Sequence, residues 1–358
     1  WVQNAYTDYS FHPIIRGGAS ADVIAQIGQT IANGFATIKI FTTSIRPPLG
    51  PRPSNFIDFG RLGEIMTEVE AQGGMMFIHA EDEDEVMYNY HMAESRNQLE
   101  WHNMHLIHNN ISEDLSFRRV IRLAESKGVA VYFVHVSAKE GVNAVAEARQ
   151  QNLPIYGETL HNYVSFNAEN YKEENGMKYH TYPSLKSEDD RLRLWEGLLN
   201  GDLSTIATDV VATSWEEKIK YRTVRDVTGG HNGIETRIGI MYTEGVIKRG
   251  MSLQRWVELC ATNPAKLVGI YPRKGVIKVG SDADICIFDT SFKRRISMED
   301  LHLNDYSIWD GWEVQGWPVT TVLRGKLMIE DRELLGNPSD GRLLPRKMDP
   351  ATLAQPIC

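Results

Sequence analysis

Four side chains able to hold a divalent metal ion sit in or just after four separate apolar runs: Lys39, His79, His135 and Asp209. Neutral imidazoles and a carboxylate suit zinc or a similar ion. Lys39 is the most informative of the four. It lies inside Ile38-Lys39-Ile40-Phe41, and burying an ammonium is costly unless it is paired or chemically changed. One histidine at a strand end has an ordinary structural explanation, whereas all four residues together point to a metal site. His102, His105 and His108 are spaced by three and read as a polar helix rather than a ligand set. Glu235 and Arg237 read as a structural ion pair, and Trp309, Trp312 and Trp317 as core or subunit-contact residues.

The elements that must position the four residues alternate between strand and helix. Val23, Ile24, Ile27 and Ile31 form a helical stripe stopped by Gly34, and Ala36–Phe41 follows as a strand. A helix bearing Leu62, Ile65, Met66 and Val69 closes at Gly73-Gly74, and Met75–Ile78 is a strand ending on His79. A helix with Phe117, Val120, Ile121 and Ala124 ends at Gly128 and leads into a strand over Val129–Val136. Val142, Val145 and Ala146 mark the next helix, Pro154–Thr159 the next strand. A helix capped by Ser187 and Asp190 precedes a strand over Leu203–Asp209. Nearly all-apolar strands alternating with helices describe a parallel sheet covered by helices, which places chemistry at the C-terminal strand ends. Beyond Asn263-Pro264 the texture changes. Gly275–Gly280 and Asp284–Phe288 read as strands, and Val319–Leu323 with Lys326–Ile329 as a hairpin about Arg324-Gly325.

The 358 residues carry a formal net charge of -9, with 42% hydrophobic and 24% charged residues. Such an acidic chain is repelled by nucleic acid and anionic membrane surfaces. No apolar run approaches the roughly 18 residues of a membrane span. Cys260, Cys286 and Cys358 are too few for a disulfide framework. A cytoplasmic setting is expected.

Several stretches resemble the hydantoinase/dihydropyrimidinase group in matching order: Tyr6–His12, Ile38–Phe41, His79-Ala80-Glu81, Val134–Ser137, Gly157-Glu158-Thr159 and Ala207-Thr208-Asp209. Gly233–Arg237, Thr262–Lys266, Tyr271–Gly275 and Gly280–Asp284 continue the likeness. The resemblance implies an α/β fold, an incomplete TIM-like (β/α)8 metal-dependent hydrolase barrel over residues 1–274. A small β-sandwich-type unit is expected over 275–335 and an irregular tail over 336–358 that wraps onto a neighbouring subunit. It implies hydrolysis of a cyclic amide C–N bond by a metal-activated hydroxide in a homo-oligomer, a dimer or tetramer. By the same likeness Lys39 is carboxylated and bridges two divalent ions, zinc by expectation. His79 and His135 bind one of them, and Asp209 binds the other while serving as general base and then acid. Tyr182 and Gly229 take the positions that hold the substrate through backbone groups.

Two departures stand out. The family's His-x-His motif is absent, and the expectation is that it lies upstream of Trp1 with two barrel strands and part of the β unit. A chain without it is expected to be inactive. The family's oxyanion tyrosine is replaced by Ser44, with His161 as a candidate substitute donor. The competing readings are an allantoinase- or dihydroorotase-like hydrolase, a non-catalytic homologue acting in protein assembly, and an unmodified Lys39 salt-bridged to Asp209.

Overall fold

The structure, a computed structural model, describes residues 2–47, 54–302 and 305–358. Trp1 lies outside them. Five strands form one parallel sheet in chain order: β1 (Thr37–Phe41), β2 (Met75–His79), β3 (Val131–Phe133), β4 (Ile155–Leu160) and β5 (Thr205–Ala207). Sequential parallel neighbours are the pattern of βα barrels, because each crossover helix returns the chain to the same edge. The helix Phe59–Ala71 buries Leu62, Ile65, Met66 and Val69. Asn110–Lys127 buries Phe117, Val120 and Ala124 and stops at Gly128 with φ 69°, a left-handed cap that glycine adopts without strain. Ser187 and Asp190 form the expected capping box on Glu188–Asn200.

β3 and β5 end earlier than the apolar runs predict. His135 and Asp209 have φ of 45° and 43°, a left-handed backbone that cannot continue a ladder and costs non-glycine residues about 1–3 kcal/mol. Each turns its side chain off the strand end instead of across the sheet.

A separate antiparallel sheet follows: β6 (Ile285–Arg295), β7 (Glu313–Leu323), β8 (Lys326–Glu330) and β9 (Glu333–Leu334). Arg324 and Gly325, both at positive φ, make the two-residue hairpin turn between β7 and β8. Among the described residues this is one sheet, not the two layers of a sandwich. Gly275–Gly280 is not a strand. Ile277 and Val279 are 90% and 101% exposed, and among the described residues no strand pairs with the outer edge of β6.

The tail packs on its own chain and is not wholly irregular. Arg346 N–H donates to the Gly34 carbonyl and Leu344 N–H to Tyr9. Pro350–Ala354 is helical, and the Tyr156 hydroxyl donates to Thr352 and Gln355 carbonyls at 2.8 Å each. No described helix is long and apolar enough to cross a membrane.

Candidate active site at the C-terminal edge of the parallel sheet

A cavity of about 870 Å³ opens at this edge, and Lys39, His79, His135, Asp209, Ser44, Tyr182 and Gly229 all line it. The parallel register explains the convergence: Lys39 pairs with Phe77 and Phe41 with His79, so successive strands deliver their last residues to one rim. A second cavity of about 770 Å³ lies beside Ala36, Gly74 and Ala130, at the opposite strand ends. Its lining is mostly glycine and aliphatic with no histidine, so the chemistry belongs to the first.

His79 is held from behind. Its Nε2 lies 2.8 Å from Glu81 Oε2, while Glu81 Oε1 lies 2.8 Å from His108 Nδ1. Glu81 is wholly buried. Burial pushes its carboxyl up, but His108 and His79 outweigh this and hold it well below the carboxylate range. An ionised Glu81 accepts from both rings, which fixes the His79 tautomer and leaves Nδ1 as its lone-pair nitrogen. The His135 ring meets His79 edge-on with centroids 4.4 Å apart. Burial, with the nearby His79 and Lys39, lowers the His135 pKa far below its ordinary value, so it is a neutral donor.

Burial brings Lys39 down to about 7, against the opposing pull of Asp209 and Glu158. Its Nζ stands 4.7 Å from the Phe41 ring centre, and among the described residues no ion pair joins it to Asp209. Desolvation raises the Asp209 carboxyl, with Lys39 acting the other way. Glu158, also in the lining, is pushed up to about 7 by burial, although the Tyr132 hydroxyl donates to it at 2.6 Å.

This donor set fits a metal. Nδ1 of His79 and the Asp209 oxygens have no side-chain hydrogen-bond partner among the described residues, and the neutral His135 ring lines the cavity beside them. They are not drawn together into a closed cage: no described trio containing them has ligand atoms within 4.8 Å of one another. Lys39 is their common neighbour, since its charge acts on all three. Among the described residues the one trio that does meet that distance is Asp8, Asp282 and Asp284. It already holds the Lys274 ammonium, which bridges Asp8 at 2.6 Å and Asp282 at 3.0 Å and also pairs with Asp284.

The wall opposite is backbone tied by a lysine. Lys218 is fully buried, and its Nζ donates to the carbonyls of His180 (2.7 Å), Thr228 (2.7 Å) and Gly230 (2.5 Å). One ammonium thereby joins the segment before Tyr182 to both sides of Gly229. A Cβ on Gly229 would fall 2.4 Å from Tyr182 Cδ2, so the tyrosine ring packs where only glycine leaves room.

Three sequence expectations need correcting. His161 does not line the cavity. It is buried, stacked 4.1 Å from Trp309, with Nδ1 3.3 Å from the Ala207 carbonyl. His108 is not on a polar helix face but buried in contact with Glu81. Glu235 and Arg237 do not pair with each other: Glu235 meets His302 at 3.1 Å, and Arg237 donates to the Ile206 carbonyl at 2.9 Å. Ser44 lines the cavity, but its hydroxyl is engaged by Glu83 at 2.6 Å and Ser54 at 2.5 Å.

Sequence reasoning gave no role to Glu158, His108, Lys218 or Arg46. Glu158 carried the same signal as Lys39, a charge inside an apolar strand (Ile155–Leu160). The others sit in irregular or short helical segments with no such contrast.

Residues 61–328 match the model of the Amidohydrolase family. The chain belongs to that family. Within it the amidohydrolase falls in the hydantoinase/dihydropyrimidinase group. It is 30% identical over 361 residues to the D-hydantoinase of Geobacillus stearothermophilus, spanning 98% of this chain and 74% of the relative. The D-hydantoinase structure from Bacillus sp. AR9 superposes with a TM-score of 0.91 at 29% identity, covering 97% of this chain and 75% of that one. The dihydropyrimidinase of Brevibacillus agri NCHU1002 gives 0.90 at 29% identity, over 96% and 74%. A (β/α)-type parallel sheet with a separate antiparallel sheet is therefore this amidohydrolase's fold.

Proposed function

We propose that the protein hydrolyses the ring C–N bond of a cyclic amide, a hydantoin, dihydropyrimidine or imide, to an open-chain acid. The observation that carries this is Lys39 at a cavity wall, making no ion pair among the described residues, beside two neutral imidazoles and the Asp209 carboxylate. A lysine near pKa 7 is substantially unprotonated at neutral pH, and only a free amine takes up carbon dioxide to become a carbamate. His79, His135, Asp209 and carboxylated Lys39 would hold two divalent ions, zinc by preference. When bound, such a pair supplies Lewis-acid polarisation and water activation.

The remaining work belongs to the chain. Asp209, with its raised pKa, takes the proton from the attacking water and returns it to the departing ring nitrogen. Backbone groups of Tyr182 and Gly229 orient the ring, with Lys218 keeping the two segments in register. Glu81 keeps the His79 lone pair aimed at the cavity. The division at residues 274/275 and 335/336 is retained as a proposal, as is a cytoplasmic homodimer or homotetramer. Exposed Ile277, Val279, Ile285 and Ile287 favour assembly, and a monomer in sedimentation at working concentration would refute it.

The direct test presents the metal-loaded protein with hydantoin, dihydrouracil, allantoin and phthalimide and follows ring opening. Isotopically labelled bicarbonate reports a carbamate on Lys39. In a protein that also carries a His-x-His pair, full metal occupancy with no ring opened would sink the hydrolase reading and favour a non-catalytic assembly role.

A further inference from the structure

Arg46 lines the same cavity and is half-buried. Several arginines elsewhere in the chain meet carboxylates, Arg61 with Glu64, Arg118 with Asp114 and Glu147, Arg119 with Asp82, Arg193 with Asp202, and others meet backbone carbonyls, as Arg237 and Arg346 do. Among the described residues no carboxylate pairs with Arg46. The acid fixed to its own loop is committed elsewhere: Glu83 accepts from the Ser44 hydroxyl and N–H at 2.6 Å each and from the Thr43 hydroxyl at 3.0 Å. Glu83 thus anchors the loop that carries Arg46 without neutralising it. The group beside the guanidinium is the Tyr182 hydroxyl. Burial raises that phenol to about 12 despite Arg46, so the neighbour is neutral at physiological pH.

A partly buried guanidinium that lines a cavity and pairs with no carboxylate among the described residues is open to a ligand that completes it. Its planar fork of N–H donors matches a carboxylate through two parallel hydrogen bonds. Among the described residues Arg46 is the one arginine in a lining that also includes Ile45, Phe41 and Val211, which suits a monoanion better than a dianionic phosphate. We propose that Arg46 is a specificity-determining residue, and that the substrate is a cyclic amide whose ring substituent ends in a carboxylate. This deepens the hydrolase reading and rests on it for the identity of the ring.

The test compares a hydantoin bearing an acetate arm with the same ring bearing an acetamide arm. Calorimetric Kd and kcat/KM are measured with wild-type protein, Arg46→Gln and Arg46→Lys. Wild type should bind the acid roughly tenfold to a hundredfold more tightly than the amide, the range expected of a charge-assisted pair. Arg46→Gln should bring the ratio to about one, and Arg46→Lys, which keeps the charge but not the fork, should retain part of it. Equal wild-type binding of acid and amide overturns the proposal, and this comparison needs no variant to fold. An unchanged ratio in Arg46→Gln, with kcat lowered for both compounds, also overturns it and assigns Arg46 to the reacting carbonyl. Tight acid binding without turnover of either compound leaves the anion site standing and removes the hydrolase reading instead.

Discussion

Glu81 accepts hydrogen bonds from two buried imidazoles, and this fixes what His79 can do. Replacing it by alanine leaves both rings without their partner and frees His79 to change tautomer. Such orienting partners are worth about 10–100-fold in metal affinity, so Glu81→Ala should weaken zinc binding by that factor in a chelator competition. Glu81→Gln, which retains one acceptor, should lose less. Asp209 is expected to act at the chemical step. Asp209→Asn should lower kcat roughly a hundredfold to ten-thousandfold with a smaller change in KM, read from steady-state ring opening. A variant within threefold of wild type would remove Asp209 from proton transfer.

At the scale of elements, the strands bring metal-binding groups and the connecting segments build the opposite wall. Lys218 holds that wall through three carbonyls that no other described group satisfies as a set. Lys218→Met strands the Thr228 and Gly230 carbonyls, while that of His180 keeps the Gly230 N–H at 3.1 Å, at a cost of about 1–3 kcal/mol for each that water cannot reach. Urea unfolding should show the loss, and KM should rise more than kcat falls because the cradle loosens while the strand-end groups stay. Gly229→Ala drives a methyl group into the Tyr182 ring and should raise KM in the same way. Unchanged KM in both variants would show that these segments do not hold substrate.

Across the whole molecule, Asp8 joins three regions far apart in sequence. Its carboxylate meets Lys274 at 2.6 Å, pairs with Arg324 on the β7–β8 turn, and accepts from the Arg342 N–H at 2.9 Å. Burial pushes its pKa up, but Lys274 and Arg324 outweigh this and the net shift is downward. A carboxylate depressed on folding stabilises the native state above its unfolded pKa of about 3.9, and the contribution disappears as pH falls through the lower folded value. Asp8→Asn should therefore reduce stability at neutral pH and narrow its gap from wild type as both are titrated below about pH 4. A gap independent of pH would mean that Asp8 acts through shape alone.

The strand–helix alternation, the cap at Ser187 and the four residues at strand ends were legible because they depend on local periodicity and on a charge placed among apolar neighbours. Those signals survive in one dimension. They could not show that His135 and Asp209 leave their strands early, since a left-handed φ in a histidine or aspartate has no residue signature of the kind glycine provides. Nor could they separate His161, sealed under Trp309, from a histidine facing the cavity, or predict that Ser44 is already held by Glu83. Gly275–Gly280 has the alternation of a strand, yet pairing depends on a neighbour that local pattern cannot supply. The sequence alone determined the fold class, the family resemblance and the set of groups that could bind metal. Only the tertiary structure decided which of them share one cavity, because burial, hydrogen-bond partnership and the Lys218 tie arise from contacts between segments tens to hundreds of residues apart.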